Sequence, residues 1–239
     1  MAYSWFIAIV LFVASFTAAT AGFGFALVSM PLITLVVSPR FAVPFVMLYC
    51  FGINLFLLLR FKEYIEWQKL WPLLVGALSG IPLGIYFLKN CDDVVIKKIV
   101  GGVVIVFALW NLITRADRGC VLHRPWAYLA GFASGILHGG IAMSGPPLLI
   151  YLTFNKWEKT LTRATLQSFF FITGSCSLFG LALTKVLTLS VLQYNLLYLP
   201  VVVLGGVTGY FLFKRLSSGR FNRILLCLLL AAGLLLIFA

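Results

Sequence analysis

Acidic side chains are almost missing from this chain. Only six occur in 239 residues (Glu63, Glu66, Asp92, Asp93, Asp117 and Glu158), and all fall in loops between apolar segments. A desolvated cation in lipid needs an anionic partner, so this scarcity argues against a cation substrate. It argues equally against a membrane enzyme that works through paired carboxylates. Charge of either sign is sparse: 10% of residues, against roughly 25% in a soluble domain. Metal-ligand spacing is lacking too. The five cysteines (Cys50, Cys91, Cys120, Cys176, Cys227) are scattered, with no Cys-x-x-Cys, so neither a metal nor a cofactor is expected. Cys50, Cys176 and Cys227 read as small hydrophobes within apolar segments, with sulfur chemistry the remote alternative. No basic stretch precedes the first apolar run, and a cleaved signal peptide is not expected.

What fills the chain is hydrocarbon. Residues are 62% hydrophobic, with a mean hydropathy of +1.09. A spanning helix takes about 20 apolar residues. Apolar segments run at 3–20, 26–37, 41–59, 71–88, 98–113, 126–142, 147–154, 164–184, 192–212 and 222–238. They imply an all-α polytopic membrane protein of about eight to ten crossings. The net charge of +12 lies in short loops, a pattern that topology and anionic headgroups explain better than nucleic acid. Lipid is the partner it implies. Residues 60–70, with Trp67 and nearby Trp71, read as an amphipathic interfacial turn of helix.

Two apolar stretches are broken by glycine. Ala21-Gly22-Phe23-Gly24-Phe25 precedes Met30-Pro31, and Gly135 to Pro147 includes Gly139-Gly140 and Ser144-Gly145-Pro146-Pro147. Breaks at corresponding places in two halves point to a substrate site in unwound backbone near mid-membrane. A repeat supports the two halves: at an offset of 125, Gly80 falls on Gly205 and Gly84 on Gly209; earlier, Pro31 meets Pro147 and Arg40 meets Arg163. The expected division is 1–113 as first half, 114–125 as a cytoplasmic linker and 126–239 as second half.

Basic residues choose the topology. If both breaks turn the chain, 13 Lys and Arg collect on one side (in loops 60–70, 114–125, 155–163 and 213–221, with Arg223) and 5 on the other (Arg40, Lys89, Lys97, Lys98, Lys185). The positive-inside bias then favours an inverted repeat, with those four loops cytoplasmic and two hairpins, broken or re-entrant, meeting near the midplane.

In place of buried carboxylates, the breaks offer donors. A helix restarting near Phe25 and another near Pro147 each expose N–H groups and a positive dipole end, and glycine permits close backbone approach. This makes an anion cradle. Candidate binding residues are Gly22, Gly24, Ser29, Asn54, His138, Gly139, Gly140, Ser144, Gly145 and Gln167. His138 reads as a structural histidine, a substrate donor or a proton site. Arg40 and Arg163 read as interface anchors or as gates. Gly80-x-x-x-Gly84 and Gly205-x-x-x-Gly209 read as packing pairs.

At these residues the chain resembles the sulfite exporter TauE/SafE family of permeases, also called 4-toluene sulfonate uptake permeases. The likeness covers essentially the whole chain. It is carried by the Gly22-x-Gly24 break ending in Met30-Pro31-Leu32, by Ser144-Gly145-Pro146-Pro147-Leu148, and by Arg163-Ala164-Thr165. Phe25 and Ala26, where further glycines are common, and His138 depart from the pattern. The resemblance implies a secondary transporter of sulfite, another sulfur oxyanion or an organosulfonate, multi-pass in a bacterial inner membrane. It allows a homodimer. A membrane scaffold or assembly subunit is the alternative. An intramembrane enzyme, built on His138 with Ser144 or Cys176, is the more remote one.

Overall fold

The computed structural model describes residues 3–113, 122–155, 157–212 and 218–238, without side-chain detail at 21, 159 and 218–225. Most of the expected 114–125 linker, with Asp117 and Cys120, lies outside the described residues.

Each apolar segment is a helix: α1 (Ser4–Ala21), α2 (Phe25–Val36), α3 (Pro39–Phe61), α4 (Trp67–Asn90), α5 (Asp93–Ile113), α6 (Arg124–Ile141), α7 (Gly145–Phe154), α8 (Lys159–Leu183), α9 (Leu189–Leu212) and α10 (Ser218–Phe238). The protein is therefore an all-α polytopic membrane protein, since helices satisfy every backbone group where water is absent. Residues Lys62–Tyr64 form a short 3-10 turn before α4, where the interfacial turn was expected. Large apolar side chains such as Trp5, Phe56, Phe179 and Phe211 are exposed, as lipid solvation requires. Helices α3, α4, α8 and α9 are long and apolar enough to cross a bilayer. α2 and α7 have 12 and 10 residues. At about 1.5 Å per residue neither reaches across a core about 30 Å thick. Each packs back on the helix before it, so both breaks are hairpins.

Packing divides the chain into two compact units, each drawn from both halves of the sequence. One comprises Met1–Val46, Asp92–Thr114 and Leu189–Ala239; the other comprises Met47–Cys91 and Arg115–Thr188. In the first unit α1 packs on α2 and α9, and α5 on α10. Gly205 and Gly209 of α9 lie against the backbone of α1 at Phe12 and Phe16. Buried Asn195 donates to the Phe45 carbonyl at 3.2 Å, tying α9 to α3.

In the second unit α4 and α6 run parallel and interlock. Gly76, Gly80 and Gly84 of α4 face Tyr128, Phe132 and Ile136 of α6, while Gly131, Gly135 and Gly139 of α6 face Leu73, Ala77 and Ile81 of α4. Without a hydrophobic force between helices in lipid, close backbone contact of this kind holds them together. α8 packs on α4 and α6, and Phe51 stacks on Phe171 at 5.1 Å. At the end where α4 starts, Lys69 sits over the Trp157 ring, 5.2 Å from its centre.

The pairing in one unit repeats that in the other. Gly80 and Gly84 stand 125 positions before Gly205 and Gly209, and their partners Phe132 and Ile136 stand 120 positions after Phe12 and Phe16. The same offset of 120 carries the start of α2 at Phe25 onto the start of α7 at Gly145. It does not carry Pro31 onto Pro147. Pro31 lies in the second turn of α2, whereas Pro147 lies in the first turn of α7, so that sequence match is corrected.

Candidate functional site

The first break uses glycine for its conformational freedom. Gly22 ends α1 at φ +81°, its N–H donating to the Ala18 carbonyl at 2.8 Å, and Gly24 precedes α2 at φ +102°. Two left-handed residues within three positions reverse the chain, and side chains with a Cβ rarely adopt that backbone. The first bond of α2 runs from Val28 N–H to the Gly24 carbonyl at 3.1 Å. The N–H groups of Ala26 and Leu27 come before it and have no acceptor within the helix. Ser29 is buried and donates its hydroxyl proton to the Phe25 carbonyl at 2.7 Å.

The second break is built differently. Gly139 and Gly140, expected in unwound backbone, lie within α6, which continues to Ile141. They are helical because they pack on α4: a Cβ on Gly139 would meet the Ile81 carbonyl, and one on Gly140 would lie 3.3 Å from the Gly84 carbonyl. The hinge is Ala142, at φ +57°, with its N–H on the His138 carbonyl. Ser144 follows at the N-cap of α7, yet its hydroxyl does not cap the helix. It meets Nδ1 of His138 at 2.9 Å, and both residues are buried.

Pro146 and Pro147 then occupy the first turn of α7. Proline has no N–H, so Gly145 alone among the first three positions carries a backbone donor. The expectation of two alike backbone cradles is therefore corrected. The first break presents main-chain N–H groups, and the second presents an imidazole and a hydroxyl.

The remaining candidates are more dispersed. Asn54 is half-buried in α3, and Gln167 is buried in α8. Arg40 is exposed and lies 3.8 Å from Asp93, which opens α5 instead of lying in a loop. Arg163 is exposed near the start of α8. Among the described residues no acidic side chain is buried, and no three His, Cys, Asp or Glu gather as metal ligands.

Sequence reasoning passed over Ser134, one turn before His138 on α6, and Gly174 of α8, where an added Cβ would lie 3.8 Å from His138 Nε2. The four-residue spacing of Ser134 and His138 was the available signal.

The sequence model of the family described as "Sulfite exporter TauE/SafE" matches residues 7–236. No curated protein and no solved structure matches the chain.

Proposed function

The chain belongs to the sulfite exporter TauE/SafE family, and from that premise we propose that it carries a small anion, a sulfur oxyanion or an organosulfonate, held where its helices break. One observation carries the reading: each compact unit contains a helix–break–helix hairpin, hinged on Gly22 and Gly24 in one and on Ala142 in the other. Broken helices place N–H groups and dipole ends at membrane depth, where they can replace the hydration of an anion. Gly22, Gly24, Ser29, Gly139, Gly140, Ser144 and Gly145 border the breaks. Asn54, His138 and Gln167 add side-chain polarity, and Arg40 and Arg163 meet the anion on entry. The lack of buried acids among the described residues fits an anionic cargo.

In a bacterial inner membrane, the loops 60–70, 114–125, 155–163 and 213–221 face the cytoplasm. The matched pairing of α4 with α6 and α1 with α9 supports an inverted repeat. Labelling of Cys120 by an impermeant thiol reagent in intact spheroplasts would overturn this orientation.

Counterflow in proteoliposomes tests the function. Labelled sulfite should exchange against internal sulfite or thiosulfate, and sodium and potassium should not be carried. A vesicle that moves alkali cations and no sulfur anion would refute the reading. The contact between His138 and Ser144 also suits a nucleophile and its base. No buried carboxylate among the described residues orients that imidazole, so we assign the pair to binding. Substrate turnover by the detergent-solubilised protein, where transport is impossible, would reverse that assignment.

A further inference from the structure

Most buried serine and threonine hydroxyls among the described residues bond within their own helix. Ser29, Thr34, Ser168 and Thr173 each donate to the carbonyl four residues earlier in their own helix. That local bond satisfies a hydroxyl in an apolar interior without another partner. Ser134 and Ser177 depart from it. Both are fully buried, and neither oxygen has a hydrogen-bond partner. Nε2 of His138 shares that condition. Buried polar atoms without partners are few in native proteins, and each calls for an explanation.

These three are not scattered. Ser134 and His138 are four residues apart on α6 and share one face. It is not the face that meets α4, which belongs to Gly131, Gly135 and Gly139. The ring points toward α8, where the nearest atom to a Cβ on Gly174 would be Nε2 at 3.8 Å. Ser177 is one turn further along that same face of α8. Thr165 is also buried without a partner, but nine positions before Gly174 it lies on the opposite side of α8 and takes no part.

We infer that Ser134, His138 and Ser177 form an oxyanion-binding strip between α6 and α8, with Ser144 as its positioning residue. The inference deepens the anion-transport reading above and rests on it. The strip uses the tautomer with hydrogen on Nε2, in which the Ser144 hydroxyl donates to Nδ1 across 2.9 Å and Nε2 is a donor. Each serine hydroxyl is free to turn its proton to an anion at its own level: α8 runs the same way as α4 and α6, with Trp157 near Lys69 and Gly180 near Ile85, so Ser134 and Ser177 lie to either side of the imidazole along the strip. Gly174 keeps the approach to Nε2 open, since any larger side chain would stand against the ring. The strip also compensates for the donors that Pro146 and Pro147 remove from α7.

The chain has only two histidines, His123 and His138, so His123→Gln leaves one imidazole to observe. Imidazole nitrogen NMR of that full-length variant in nanodiscs should show the proton on Nε2. Sulfite should shift the Nε2 resonance. Ser134→Ala and Ser177→Ala should each weaken sulfite affinity about tenfold, the loss expected for a hydrogen bond to a charged ligand. His138→Gln, which keeps an N–H at a similar reach, should retain part of the affinity that His138→Leu loses. A proton found on Nδ1, or resonances unmoved by sulfite in protein that performs sulfite counterflow, would overturn the strip and leave the transport reading standing. Counterflow failing for every sulfur anion would remove both.

Discussion

Among the described residues Ala142 and Lys185 are the two non-glycine residues with a left-handed backbone, and Ala142 is the one at a helix break. It sits at φ +57°, where a Cβ crowds the following carbonyl at about 1–2 kcal/mol. Ala142→Gly should therefore stabilise the protein by up to about 1 kcal/mol after the added freedom of the unfolded chain is subtracted. Ala142→Val should destabilise it. Thermal unfolding in detergent decides this, and equal midpoints for all three would mean that the hinge carries no strain. Gly24 isolates the same effect in open space. An added Cβ there would find nothing closer than Thr17 Cγ2 at 3.9 Å, so the damage from Gly24→Val comes from φ +102° and should cost about 1–3 kcal/mol. Gly22 and Gly24 were legible in the sequence, because glycine advertises a left-handed position. Ala142 was not. The chain unwinds there because Pro146 and Pro147 cannot continue a helix begun upstream, and they suit the first turn of a new one.

At the scale of helices, neighbouring glycines separate packing from mere composition. On α9 a Cβ at Gly205 would run into Ser15 Oγ and the Phe12 carbonyl, while one at Gly206 meets nothing within 4 Å. Gly205→Ala should push α1 and α9 apart and cost about 1–3 kcal/mol. Gly206→Ala should be neutral, or stabilising by up to about 1 kcal/mol through helix propensity. Compared by unfolding midpoint, Gly205→Ala should thus fall below wild type and Gly206→Ala at or above it. Equal losses would mean that α9 does not face α1 as described. The sequence made Gly80-x-x-x-Gly84 and Gly205-x-x-x-Gly209 legible as packing pairs. It did not show that Gly76 extends the first of them, or that Gly131, Gly135 and Gly139 supply the facing surface. A small-residue stripe marks a close approach without naming the helix that approaches. For that reason Gly139 and Gly140, read as a break, proved to be packing positions.

For the whole molecule, ten apolar runs and two breaks sufficed to read an all-α membrane protein, since hydropathy reports directly on what lipid accepts. The sorting of those runs into units was not legible, because periodicity is local and the pairs are not. α4 packs on α6 and α1 packs on α9, so each compact unit draws helices from both halves of the sequence. A polypeptide ending at residue 113 would carry α1 without α9 and α4 without α6. Its glycine faces would be uncovered, and it should be inserted but rapidly degraded. A second polypeptide starting at residue 122 should fail in the same way alone. Co-expressed, the two fragments should accumulate and co-purify, because the cut falls between α5 and α6 and severs neither pairing. Their combined unfolding midpoint should approach that of the intact chain. If the first fragment alone proves as long-lived and as heat-resistant as the full protein, each half folds by itself and the interleaved pairing is not what holds the units together.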